Sequence, residues 1–164
     1  MYHGEYIFMF KNRHSLKRKD ARRIAEKLHD MLGCKVEKEM ETAEYKDWKL
    51  LFINGKIYGF FINDIPFLNV EGLKVFKAER RKVVVDDGAI KFILNGADVM
   101  APGIVNADEN IKKKDVVWVS DERGLPLAVG IALMDGAEMV NAGKGKAVKN
   151  IHHIGDEIWK LSKY

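Results

Sequence analysis

Apolar residues fall at Ala21, Ile24, Ala25, Leu28, Met31 and Leu32, one stripe at the period of an α-helix. The pattern predicts a helix over 16–32. Ser15 is the expected N-cap, and Gly33 sits where a left-handed residue stops a helix. Two β-rich runs follow, 45–53 (YKDWKLLFI) and 56–62 (KIYGFFI), on either side of Asn54-Gly55. Asn-Gly between such runs predicts a tight hairpin, because both turn residues need positive φ. Residues 34–40 are expected to add another strand. Pro66 and Gly72 interrupt 64–79, which reads as a short helix or an extended connection. A helix followed by an antiparallel sheet makes this half a small α+β unit.

The texture changes near 78–81 (AERR), where a boundary is expected between a domain at 1–80 and another at 81–164. Residues 82–85 (KVVV) read as a buried strand. Asp86 or Asp87 then caps a short helix, with Ala89, Ile90, Ile93 and Leu94 facing inward and Asn95-Gly96 ending it. Strands are expected at about 98–101, 115–120, 125–134, 146–152 and 157–161, each bounded by a Gly-, Pro- or Asp-containing turn. Many short strands around one helix predict a compact β-barrel-like domain.

Composition narrows the class. At 164 residues and 47% apolar content, the chain is long enough for one domain or two small ones. The lone Cys34 excludes an internal disulfide framework and a four-Cys zinc site. No run approaches the roughly 18 apolar residues of a membrane span. The opening MYHGEYIFMF lacks the basic region of a signal peptide. No membrane association is expected, and a reducing cytoplasmic setting is the expectation. The absence of Gln, with one Thr and three Ser, matches chains from hot environments. The net charge of +4 is uneven: residues 1–80 hold 16 basic and 12 acidic side chains, whereas 81–164 hold 12 of each. A basic surface attracts polyanions.

Catalytic and cofactor signals are missing. There is no Rossmann or P-loop glycine pattern, no GxSxG, no HExxH and no EF-hand loop. GKGKA at 143–147 lacks the helix N-terminus of a phosphate cradle. His152 and His153 are adjacent, so on a strand they point to opposite faces, one half-buried and one exposed. Cys34 follows a helix C-terminus, where thiolate is disfavoured, and reads as a small buried hydrophobe. The pairs Asp86-Asp87 and Asp108-Glu109 fall at turns or caps. No cofactor, no metal and no catalytic residue is expected.

Two segments are more informative. Residues 11–23 (KNRHSLKRKDARR) hold seven Lys/Arg against one Asp, with Lys17, Arg18 and Lys19 in the first turn of the expected helix. Positive charge there opposes the macrodipole at roughly 0.3–1 kcal/mol each. An anion site and a solvated face of a charge-rich chain both explain it. Lys112-Lys113-Lys114 has the same two readings, a polyanion contact or a solvated loop. The second segment, 87–104 (DGAIKFILNGADVMAPGI), is a helix start, a tight Gly exit and a strand ending in Pro-Gly. Gly96 and Gly103 would admit a close neighbour. Lys91 projects between Ile90 and Phe92, both read as buried.

The block DDGAIKFILNGADVMAPGI, followed by DVVWVSDERGLPLAVGIALM and GKGKAVKNIHHIGDEIWKL, resembles a PUA domain over about 82–161. The upstream RHSLKRKDARRIAEKL helix and LLFINGKIYGFF hairpin are similar to the archaeal relatives of the malignant-T-cell-amplified-sequence family, in which a pre-PUA domain precedes a PUA domain. The resemblance starts after residue 8 and makes Met9 an alternative start.

The resemblance implies an α+β fold, with an N-terminal pre-PUA α/β domain (helix on antiparallel sheet) and a C-terminal PUA β-pseudobarrel. It implies a non-enzymatic protein that binds structured RNA, tRNA at its acceptor or 3′ end or small-subunit rRNA, in translation initiation or ribosome recycling. The small ribosomal subunit and a translation-factor protein are the implied partners. Two other roles fit the resemblance: an accessory subunit of an RNA-modifying enzyme such as archaeosine tRNA-guanine transglycosylase, or a protein-interaction scaffold using the 45–62 hairpin face. Carried onto this sequence, the RNA groove is expected at Gly88, Lys91, Asn95, Gly96, Ala97, Met100, Pro102 and Gly103, closed by Lys144, Lys146 and Lys149. Lys17, Arg18, Lys19 and Arg22 would hold neighbouring phosphates.

Overall fold

The computed structural model describes residues 9–163. They divide into two compact units. One reaches Ala78 and takes back the chain from Lys160; the other is Glu79–Trp159. The start at Met1 or Met9 concerns residues 1–8, which lie outside the described residues.

The first unit is a five-stranded antiparallel meander, β1 (Lys11–Ser15), β2 (Met40–Tyr45), β3 (Trp48–Ile53), β4 (Lys56–Ile62) and β5 (Ile65–Leu68), ordered as in the chain. Helix α1 (Arg18–Leu32) lies between β1 and β2 and buries Ala21, Ala25, Leu28, Met31 and Leu32, the predicted stripe apart from half-buried Ile24. Gly33 ends it at φ 75°. Its N-cap is Lys17, not Ser15, and no side chain caps it. Ser15 is the last residue of β1, whose pairing with β2 sets its backbone.

The Asn54-Gly55 hairpin forms with φ of 51° and 77°. The run 45–53 is not one strand. Lys46, at φ 52°, makes a second turn, so Tyr45 ends β2 and Trp48 begins β3. The strand expected at 34–40 begins only at Met40. Residues 64–79 contain both β5 and a short helix α2 (Val70–Val75). Buried Asn69 caps α2 through the Gly72 amide and donates from Nδ2 to the Ile57 carbonyl at 3.0 Å. Trp48, Tyr58 and Phe61 on the hairpin are half-buried, so none of the large exposed apolar side chains lies there.

The second unit is a six-stranded sheet ordered β7-β11-β10-β9-β6-β8, wrapped into a nearly closed barrel. The strands are β6 (Lys82–Val85), β7 (Val99–Met100), β8 (Ile104–Ala107), β9 (Val116–Ser120), β10 (Pro126–Ala132) and β11 (Lys146–His153). All pairs are antiparallel except β6–β9. The two end strands, β7 and β8, are joined by a single 3-10 turn at Ala101–Gly103, so the chain itself bridges the barrel seam. Helix α3 (Asp87–Ile93) follows β6, and a short helix α4 (Gly136–Met139) follows β10. Val83, Val85, Ile93, Val117, Val119, Ala128 and Val148 fill the centre.

The segment expected as a last strand, 157–161, is instead helix α5 (Glu157–Leu161). Its apolar Ile158 and Leu161 are three apart, which is helical spacing, and Asp156 caps it by accepting from the Trp159 amide at 2.8 Å. The same carboxylate takes the His152 Nδ1–H at 3.0 Å and the His153 amide at 3.0 Å. His152 is fully buried and His153 half-buried, more enclosed than the expected half-buried and exposed pair, because the Asp156 turn folds over them.

Candidate nucleic-acid interface

The site is built around α3. Asp86 leaves β6 in an extended conformation, and its carboxylate accepts from the Ala89 amide at 3.1 Å, which starts the helix. Its own amide donates to the Gly103 carbonyl at 2.9 Å, so the helix start is tied to the 3-10 turn. A Cβ on Gly103 would stand 3.2 Å from that of Ala89; the missing side chain is what lets α3 lie against the turn. At the other end of α3, Asn150 on β11 donates from Nδ2 to the carbonyls of Ile93 and Ala97, each at 3.0 Å. The Ala101 amide donates to the Gly145 carbonyl at 2.9 Å and fixes the GKGKA turn beside β7.

Between these ties lies a cleft of about 670 Å³. Asp86, Gly88, Ala89, Phe92 and Ile93 line one side, and Ala97 to Met100 with Pro102, Gly103 and Lys146 line the rest. Phe92 is 57% exposed and Met100 47%. Large apolar side chains left about half open at a cleft mark a binding surface rather than a core. Lys146 is the cleft's one cation, and its ammonium is 3.3 Å from the Asp98 carboxylate. The Asn150 amide, and after it the Lys146 ammonium, hold the Asp98 carboxyl below the usual carboxylate range. The cleft thus offers shape, apolar surface, a lysine paired with Asp98, and a second carboxylate, Asp86, that is bonded to the Ala89 amide. That suits a nucleotide base or sugar better than a bare phosphate.

Of the expected groove residues, Gly88, Ala97, Met100, Pro102, Gly103 and Lys146 line the cleft together. Lys91, Asn95, Gly96, Lys144 and Lys149 do not. Lys91 stands on the exposed face of α3, 5.2 Å from the Phe92 ring centre. Asn95 and Gly96, the latter at φ 90°, form the exposed turn after the helix. Lys144 is exposed on the GKGKA turn, and Lys149 is exposed on β11 opposite Ile131.

Two participants escaped the sequence reading. Phe92 was expected to be buried and is open. The signal was available, since the stripe of Ala89, Ile90, Ile93 and Leu94 leaves Phe92 off its helical face. Asp98 became visible only through its pairing with Lys146, which no spacing announces.

In the first unit, Lys17, Arg18, Lys19 and Arg22 stand exposed at the start of α1. Arg18 and Arg22 line a separate hollow of about 630 Å³ with Lys38, Glu39 and Glu41. None of the four cations has a carboxylate within ion-pair reach among the described residues. The opening of the basic segment is not helical: β1 carries Lys11 and Arg13, and Arg13 pairs with Glu41 at 3.0 Å. Among the described residues, no group of three His, Cys, Asp or Glu side chains could hold a metal ion, and no helix is long and apolar enough to cross a membrane.

Comparison with known proteins agrees with this architecture. The PUA domain model matches residues 81–154, and the model of a domain of unknown function, DUF1947, matches 12–70. A solved structure of a hypothetical protein from the hyperthermophilic archaeon Pyrococcus horikoshii is 43% identical, covers 92% of this chain and 99% of its own, and superposes with a TM-score of 0.83. Translation machinery-associated protein 20 of Saccharomyces cerevisiae is 30% identical over 85% of this chain and 81% of its own length. A stretch of 74 residues is 40% identical to part of a Pyrococcus horikoshii tRNA (cytosine(72)-C(5))-methyltransferase, over 45% of this chain and 19% of that enzyme. The chain is a PUA-domain protein. It belongs to the family of translation machinery-associated protein 20 and the malignant T-cell-amplified sequence proteins, and in this chain a DUF1947 domain precedes the PUA domain. The PUA domain and these translation-associated relatives point to RNA binding.

Proposed function

We propose that this protein is a non-enzymatic RNA-binding protein of translation initiation or ribosome recycling. Its PUA groove takes unpaired nucleotides at the end of a structured RNA, with the 3′ end of tRNA as the first candidate and small-subunit rRNA as the second. The observation that carries the reading is the cleft's chemistry: Phe92 and Met100 open to solvent, and the one lysine compensated by Asp98. A-form duplexes hide their base edges, so a protein reads unpaired bases by stacking and shape. An aromatic platform is worth about 1–3 kcal/mol per stacked base.

The division of labour follows the two domains, taken as 1–80 and 81–164. The PUA domain reads the unpaired end, and the exposed cations Lys17, Arg18, Lys19 and Arg22 hold phosphates of the adjoining duplex. The yeast relative's association with the translation machinery and the methyltransferase relative's tRNA substrate support this choice of RNA.

The test is fluorescence anisotropy of the full chain with tRNA, intact and with its unpaired 3′ nucleotides removed. The expected result is tighter binding of the intact tRNA. Equal binding of both would remove the 3′ end from the account and turn attention to rRNA on isolated small subunits.

A further inference from the structure

Every backbone amide of Lys112-Lys113-Lys114 is committed. The Lys112 amide donates to the Asp115 carboxylate at 2.9 Å, the Lys113 amide to the Asp135 carboxylate at 2.8 Å, and the Lys114 amide to the Ala132 carbonyl at 2.8 Å. A run of three lysines in a solvated tail would show none of this. The loop before β9 is instead a fixed turn.

The charges on that turn are left open. Asp115 and Asp135 each spend an oxygen on a backbone N–H group of the turn. The other oxygen of Asp115 is 3.9 Å from the Arg81 guanidinium. Asp108 accepts from the Arg81 and Asn110 amides. Glu109, three residues before Lys112, is exposed. No carboxylate among the described residues lies within ion-pair reach of the three ammonium groups.

Lys114 has φ 82°, a left-handed conformation that Gly or Asn adopts far more readily. Lys46, Lys77 and Arg81 also stand at positive φ, but Lys114 alone of the four lies in a run of three lysines. The strand ladder adds a location. Lys114 bonds to Ala132, Ala132 pairs with Val148 on β11, and Lys146 lies two residues before Val148. The turn therefore sits at the barrel end that carries Lys144 and Lys146, two strand spacings or about 10 Å from β11.

We infer that Lys112-Lys113-Lys114 is a phosphate-holding turn that extends the RNA track of the PUA domain beyond the cleft. This rests on the RNA-binding reading above. Among the described residues the cleft has no uncompensated cation, and this turn supplies three on a fixed backbone.

The experiment measures tRNA affinity across salt concentration for the wild-type full chain, for K112E/K113E/K114E, and for a charge-matched control, K27E/K35E/K56E. The expected result is a log–log salt slope shallower by about 0.9 per lost contact, about 2.7 in all, for the turn variant, with the control nearer wild type. Lys114→Gly covers the case in which the triple variant fails to fold. It should keep or raise the melting temperature by relieving the left-handed strain, yet shallow the slope by about 0.9. A folded turn variant with the wild-type slope would overturn the inference, as would equal losses in turn and control variants. If wild type itself shows no salt-dependent binding, the RNA reading falls and the turn's role with it.

Discussion

On the proposed reading, the start of α1 and the cleft beside α3 take opposite halves of one recognition problem. The α1 start has open positive charge: Lys17, Arg18, Lys19 and Arg22 are exposed with no carboxylate partner among the described residues, and the helix has no side-chain cap. The cleft has enclosure without open positive charge: its walls are tied by Asp86, Asn150 and the Ala101–Gly145 bond, and its lysine is compensated by Asp98. Open charge binds any phosphate backbone and weakens steeply with salt. A pinned apolar cleft discriminates by fit and stacking and barely feels salt. One region should therefore set how strongly the protein holds RNA, and the other which RNA end it holds.

The largest expected effect comes from breaking the charged half. K17E/R18E/K19E should lose affinity for intact and trimmed tRNA alike, with a salt slope shallower by about 2.7 for three contacts. The same variant should be more stable, since acids in the first helical turn gain about 0.3–1 kcal/mol each. Anisotropy and thermal melts on one preparation check both.

Next is the cleft. F92A/M100A should lose about 1–3 kcal/mol of binding, roughly five- to 150-fold, for intact tRNA only, with the salt slope unchanged. Both side chains are largely exposed, so the melting temperature should hold.

A change behind the cleft sharpens the contrast further. Asn150→Ala removes the donor to the Ile93 and Ala97 carbonyls and should cost about 1–3 kcal/mol in chemical denaturation, together with preference for the intact end.

The smallest effect has the opposite sign. Asp98→Asn leaves Lys146 uncompensated, so the salt slope should steepen by up to about 0.9. The carboxyls also set an acid limit. Folding holds Asp98 and Asp156 below the ordinary carboxylate range. For Asp156, burial pulls upward, and the His152 hydrogen bond and charge with the Trp159 and His153 amides outweigh it. The unfolded chain then binds more protons, so their stabilisation is complete above about pH 4 and is lost as pH falls through the lower folded values. Melts of wild type and Asp156→Asn from pH 6 to pH 2 should converge on the acid side.

What the sequence revealed divides along the same line. Local signals were legible: the α1 stripe, the Gly33 stop, the Asn54-Gly55 turn, the Asp86 cap and the α3 block each depend on residues a few positions apart. Pairing decided the rest. Ser15 reads as a cap by type but is claimed by β1, which forms only because β2 lies beside it. The KVVV strand was legible, whereas β8 and the seam turn at Ala101–Gly103 were not, because Pro and Gly there read as a simple turn. IGDEIWKL looked like a strand until Asp156, bound to His152, turned it into a helix cap. In the cleft, the glycines and Met100 carried a motif, while Phe92 was masked by being apolar, and Asp98 and Asn150 act through partners more than 45 positions away.

The most direct test crosses the two regions in one measurement: salt-dependent tRNA binding of K17E/R18E/K19E and F92A/M100A, each on intact and 3′-trimmed tRNA. The account predicts a crossed pattern, in which the first variant loses slope on both RNAs and the second loses only the preference for the intact end. Parallel losses of slope and end preference in both variants would contradict it.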